Sequence, residues 1–122
     1  MLHKIFVYGT LKRGGRLHHN LSPKKHNNSR FVCEDTVSNC NLYMIQWYPG
    51  VDDGDGIVTG EVYEIDDPML AQMDELEDEG ILYRRTLKTT QTGLDVWIYM
   101  YLGDVDPTTI VVSGIFDVEA SV

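Results

Sequence analysis

Two features of this chain combine residue types and spacing that can do chemistry: an acid at position 77 within a run of helical apolar spacing, and a glycine-punctuated turn at residues 9–11 that closes an apolar strand. Taking Met69 as origin and advancing about 100° per residue puts Met73 at about 40°, Glu77 at about 80°, Leu70 at about 100° and Leu76 at about 340°. Glu77 therefore shares the apolar arc, whereas Glu75 and Asp78, at about 240° and 180°, point away as solvated acids do. Desolvation, the neighbouring acids Asp74, Asp78 and Glu79, and the negative end of the helix dipole would all raise the pKa of a carboxyl held there. Such a group suits proton transfer near neutral pH. A helix that stopped before Glu77 would instead let the side chain swing to water.

The turn offers complementary chemistry. Ile5-Phe6-Val7-Tyr8 has the β-branched and aromatic composition of a buried strand, and Gly9 lets the backbone turn sharply. Amides of Gly9, Thr10 and Leu11 at a strand end form a cup for a carboxylate or an oxyanion, with Tyr8 shaping its wall or serving as an ordinary core tyrosine. Gly9 to Gly14 also has the glycine spacing of a phosphate loop. Gly15-Arg16 stands where that loop needs Lys-Ser/Thr, so a nucleoside triphosphate site is rejected.

Around these features the composition predicts strands at about 3–8, 31–37, 41–46, 57–65, 82–90 and 95–102. One helix is expected, with Asp67 as its cap, Pro68 at its first position and Met69, Leu70, Met73 and Leu76 on its buried face. Residues 12–30 read as a long polar connection, a lid with a short helical turn around Leu17 to Leu21. Asp52-Asp53-Gly54-Asp55-Gly56 reads as a turn joining two strands, since it lacks the order and the twelfth-position Glu of a calcium loop. The expected architecture is α+β: a small mixed β-barrel of about five to seven strands with one main helix and a short second helix, in a single domain over residues 1–122.

Composition narrows the partners. The net charge is −9, yet all seven charged residues in 1–30 are basic, while residues 52–79 carry twelve acids and no Lys or Arg. Overall repulsion argues against nucleic acid, and the basic quarter, including Lys24, Lys25 and Arg30, is expected mainly to pair with the acidic one. No apolar run approaches the length that spans a bilayer, and Met1-Leu2-His3-Lys4 leads into a strand rather than a leader, so a cytoplasmic protein without membrane contact is expected. Cys33 and Cys40 have an odd separation that would put them on opposite faces of a regular strand, which disfavours a disulfide. The four histidines and two cysteines show no zinc-ligand spacing. A monomer is the expected state.

Tyr8-Gly9-Thr10-Leu11 resembles the Tyr-Gly-Thr/Ser-Leu signature that opens the γ-glutamylcyclotransferase superfamily, which includes γ-glutamylamine cyclotransferases. Further matches follow in order: Tyr48-Pro49-Gly50-Val51, then Gly60-Glu61-Val62-Tyr63-Glu64-Ile65, then Met73-Asp74-Glu75-Leu76-Glu77 for the family's Leu-Asp-x-x-Glu, then Tyr83-Arg84-Arg85 for its Tyr-x-Arg. Tyr99 or Tyr101 matches a recurrent late aromatic. The resemblance maps the family's catalytic glutamate onto Glu77 and implies a substrate pocket drawing on Tyr8, Gly9, Thr10, Leu11, Tyr83 and Tyr101. Arg84 and Arg85 are expected to pair with the acid-rich helix rather than clamp substrate. The implied reaction converts a small γ-glutamyl amine or peptide into 5-oxoproline and a free amine, with no metal or cofactor. One departure is Asp78-Glu79, which separates Glu77 from Gly80, and the tail from about Thr108 carries no recognisable motif. The leaving amine is left open among an amino acid, a lysine isopeptide, a polyamine and a biosynthetic intermediate. The alternative on the same fold is a non-catalytic small-molecule-binding or interaction module, against which the acid at position 77 argues.

Overall fold

The computed structural model describes residues 1–22 and 28–118, so residues 23–27 of the predicted lid, Lys24 and Lys25 among them, lie outside the described residues. Among the described residues the elements are β1 (Leu2–Val7), β2 (Ser29–Met44), β3 (Pro49–Asp66), α1 (Asp67–Leu76), β4 (Tyr83–Thr89) and β5 (Asp95–Tyr101), with short 3-10 turns at His18–Leu21 and Pro107–Thr109. The first of those turns matches the predicted short helix.

The strands form one mixed sheet in the order β2-β3-β1-β5-β4. Strand β1 lies at its centre, antiparallel to β3 and parallel to β5, with Ile5 opposite Trp97 and Phe6 opposite Ile98. The predicted barrel does not close: β2 and β4 remain the two edges. Strand β4 ends at Thr89, and it is the following loop that meets β2, through Gln91 N donating to Thr36 O at 2.9 Å and the Thr92 hydroxyl donating to Asp35 Oδ2 at 2.5 Å.

Two predicted boundaries dissolve for one reason. Residues 31–37 and 41–46 belong to the single strand β2, and Asp52–Gly56 bends within β3 instead of joining two strands. Ser38 pairs with Ile57 and Cys40 with Asp53, so Gly54, Asp55 and Gly56 stand opposite Asn39 alone, which adopts φ 60°. The Asn41 side chain fills the space beside Gly54 and Gly56 that a Cβ would need. This bulge also resets the side-chain alternation of β2, so Cys40 is buried in the same cluster against which Cys33 packs, contrary to the opposite-face expectation. Both cysteines are free thiols.

Alternation along β1 divides the core. Phe6 and Tyr8 join Val37, Leu42, Val58 and Phe116 on one face, whereas Ile5 and Val7 meet Leu21, Met69, Leu70 and Met73 on the face covered by α1. Part of the basic region pairs with the acidic one, Arg30 reaching Glu64 at 3.2 Å, Lys4 the same carboxylate at 3.8 Å and Arg13 reaching Glu61 at 3.5 Å.

Helix α1 begins one residue earlier than predicted, at Asp67. Asp66, not Asp67, is the N-cap: its Oδ1 accepts from Met69 N at 3.0 Å, while its Oδ2 accepts from Asn28 N at 2.7 Å. Asp67 is exposed and contacts His3 Nε2 at 2.5 Å. Asp66→Ala should therefore lower unfolding stability by about 1–2 kcal/mol, since it removes the cap and a second acceptor. Asp67→Ala, losing exposed contacts to His3 and to the Met1 ammonium, should stay within about 0.5 kcal/mol in the same urea titrations.

Candidate active site

Strand β1 ends at Val7, and the next residues fold into nested turns. Lys12 N donates to Gly9 O at 3.0 Å, Gly15 N to Lys12 O at 2.8 Å, and Leu17 N returns to Thr10 O at 3.0 Å. Buried Glu61 reinforces this from β3, its Oε1 accepting from Arg13 N and from the Tyr63 hydroxyl, each at 2.9 Å. Among the described residues, the N–H groups of Gly9, Thr10 and Leu11 have no acceptor. Gly9 is required by proximity rather than by a left-handed backbone: a Cβ there would lie 2.6 Å from Pro49 Cγ.

These residues border a cavity of about 140 Å³, with Tyr8, Gly9, Thr10 and Leu11 on one side and Leu76, Glu77 and Tyr83 on another. Benzene fills an apolar protein cavity of about 150 Å³, so the space suits a five-carbon amino-acid head and little more.

Helix α1 does stop at Leu76, yet Glu77 does not swing to water. As C-cap it keeps its N–H on Met73 O at 2.9 Å, and its carboxyl is directed into the cavity. Burial above all, then the Asp78 charge, raises its pKa from the usual 4.5 to about 7. Asp74 and Glu79 are engaged elsewhere: Asp74 accepts from Arg85 Nη1 at 2.8 Å and from the Tyr99 hydroxyl at 2.7 Å, and Glu79 accepts from Arg85 N at 3.1 Å. No hydrogen-bond or ion-pair partner reaches the Glu77 carboxyl among the described residues, and its oxygens are not sealed from solvent-accessible space in a residue that borders the cavity.

Residues 5–117 match the model of the family described as gamma-glutamyl cyclotransferase, AIG2-like. The chain belongs to that family. It is 36% identical over 111 residues to the gamma-glutamylcyclotransferase family protein YtfP of Escherichia coli (strain K12), covering 91% of this chain and 93% of that one. It is 36% identical over 109 residues to the gamma-glutamylaminecyclotransferase of Mus musculus, covering 84% of this chain and 69% of the relative. The crystal structure of an AIG2-like protein from Mus musculus superposes with a TM-score of 0.84 at 27% identity, covering 95% of this chain and 88% of that one.

Within this family member the remaining predicted residues divide. Tyr83 borders the cavity, with its hydroxyl donating to Pro49 O at 2.7 Å. Tyr8 is both wall and core, its hydroxyl donating to Tyr99 O at 2.6 Å. Tyr101 does not line the cavity; it packs behind Tyr83, ring to ring at 5.6 Å, and the aromatic that reaches the space is Tyr99. Burial raises the phenol pKa of Tyr8, Tyr83 and Tyr99, and the Glu77 charge adds to all three, so they serve as neutral donors. Arg85 pairs with Asp74 as predicted and lies 4.6 Å from the Trp97 ring centroid, while Arg84 is exposed. Trp47, Tyr48, Leu17 and Leu82 also border the cavity and were not singled out as site residues. The adjacent aromatics Trp47-Tyr48 in a hairpin loop were the available signal.

The raised Glu77 pKa has a stability consequence whose sign is fixed. Between pH 4.5 and about 7 the folded chain holds more protons than the unfolded one, so stability falls as pH rises through this window. Glu77→Gln removes that loss. The variant should match the wild type near pH 4.5 and exceed it by up to about 3 kcal/mol above pH 8, measured by urea unfolding across pH.

Proposed function

We propose that this protein is a γ-glutamyl cyclotransferase that releases 5-oxoproline and a free amine, with Glu77 shuttling the proton. The observation that carries this reading is one carboxyl, raised to about 7, facing the same small cavity as three unpaired backbone amides. The free α-amine of the γ-glutamyl head attacks its own γ-carbonyl, forming the ring C–N bond. Ionised Glu77 accepts one proton from the α-ammonium before attack and gives it to the departing nitrogen as the original amide bond breaks; the ring nitrogen sheds a second proton once it is bonded to the carbonyl carbon, and that proton leaves with the amine as its ammonium. Atoms and charges balance with no metal or cofactor. The amides of Gly9, Thr10 and Leu11 hold either the substrate α-carboxylate or the oxyanion of the tetrahedral intermediate. Tyr83 and Tyr99 enclose the ring-forming carbons. The protein acts as a monomer on a small-molecule substrate, for which the cavity of about 140 Å³ has room.

Purified wild type and Glu77→Gln incubated with γ-glutamyl amines and γ-glutamyl dipeptides, with 5-oxoproline followed by mass spectrometry, test this directly. Glu77→Gln should fold and lose at least about a thousandfold in kcat, within the range expected when an acid-base residue is removed. Equal turnover by the two proteins would remove Glu77 from the chemistry. In the wild type, kcat/KM should fall tenfold per pH unit below about 7, where the carboxyl becomes protonated before it can accept.

A further inference from the structure

The cavity holds a γ-glutamyl head and leaves the departing amine at its mouth. That mouth is apolar: Trp47 and Leu76 border it with 45% and 39% of their surfaces exposed, beside partly buried Leu17, Tyr48 and Leu82. Trp47 is held edge-on by Tyr48, with ring centroids 5.0 Å apart, and the Arg16 guanidinium lies 4.5 Å from the Trp47 ring centroid.

Arg16 differs from the other cations of its turn. Lys12 Nζ donates to Phe116 O at 2.8 Å, and Arg13 reaches Glu34 and Glu61, each at 3.5 Å. Among the described residues, Arg16 has no acidic partner, in a chain with nineteen acids against ten Lys and Arg. Stacking on Trp47 restrains the guanidinium and leaves its fork of donors unspent, a state suited to a carboxylate. The net charge of −9 works the other way, toward cationic amines, and Asp78 and Glu79 directly follow Glu77 in sequence. Neither they nor Arg16 border the cavity; Arg16 reaches its mouth through the Trp47 ring, whereas Glu79 is bonded to Arg85 N. Local recognition at the mouth therefore outweighs the distant field, which salt screens within about 8–10 Å.

We propose that Arg16 and Trp47 form a leaving-group subsite that selects amines carrying an apolar or aromatic body together with a carboxylate, and disfavours polyamines. This inference rests on the cyclotransferase reading. It narrows the substrate class to γ-glutamyl peptides of apolar amino acids, with Trp47 and the neighbouring leucines covering the side chain and Arg16 binding the carboxylate.

A matched pair tests it: γ-glutamyl-phenylalanine and γ-glutamyl-phenethylamine share an aromatic body and differ in the carboxylate, with γ-glutamyl-putrescine as the cationic comparison. Wild type should favour the phenylalanine compound over the phenethylamine compound by roughly three- to fivefold in kcat/KM, the range for an exposed ion pair. The putrescine compound should be the poorest of the three. Arg16→Ala should bring the ratio for the matched pair near one, and Arg16→Glu should invert it. Equal kcat/KM for the pair in wild type, or a ratio unmoved by Arg16→Glu, would overturn the subsite while leaving the reaction intact. Calorimetric binding of the same compounds to Glu77→Gln and to Glu77→Gln/Arg16→Glu separates the two readings. Arg16-dependent selection in binding, without 5-oxoproline from wild type, would retain the subsite and discard the reaction; neither binding nor turnover would discard both.

Discussion

One close contact organises the site: the Pro49 ring lies against Gly9 where no side chain could fit. Pro49 stands at the start of β3, immediately after the hairpin loop that carries Trp47 and Tyr48, and Gly9 follows the central strand. Their approach folds the hairpin tip over the carboxyl end of β1. The Pro49 carbonyl then accepts the Tyr83 hydroxyl, so one residue joins the first, third and fourth strands around the cavity. Without a glycine at position 9, the wall holding the aromatics and the turn presenting the amides would have to separate.

Two carboxylates three residues apart on one helical segment show how environment assigns roles. Asp74 accepts from a guanidinium and a phenol, and so holds Arg85 and Tyr99 in place. Glu77 receives neither, and with Asp78 beside it the proton is retained to a higher pH. The helix ends at the residue between structural and chemical use, Leu76, which leaves the apolar face and joins the cavity mouth.

The elements near the site were legible because their signals were local. Helical spacing placed Met69, Leu70 and Met73 in the core and turned Glu77 inward, and the composition of Ile5–Tyr8 marked a buried strand. What escaped was set by pairing at a distance. Asp52–Gly56 has the residues of a chain reversal, but the partner strand continues past it and the glycines serve a bulge around Asn41. Asp66 and Asp67 are equivalent as cap signals, and the choice between them follows from Asn28, far away in sequence. Tyr99 and Tyr101 share one face of β5, and the register that sets Tyr101 opposite Tyr83 and Tyr99 opposite Arg85 decides which of them borders the cavity.

The parallel pairing of β1 with β5 joins the first strand of the chain to the last. During synthesis one edge of β1 has no partner until β5, far downstream, has left the ribosome. Contacts so distant in sequence carry a large loop-closure cost, so they form late. The cavity draws on residues from Phe6 to Tyr99, and a nascent chain therefore has no site to fill until the final strand docks. Competence to bind arrives as the closing event of folding, and the exposed apolar edge of β1 is the interval's aggregation hazard.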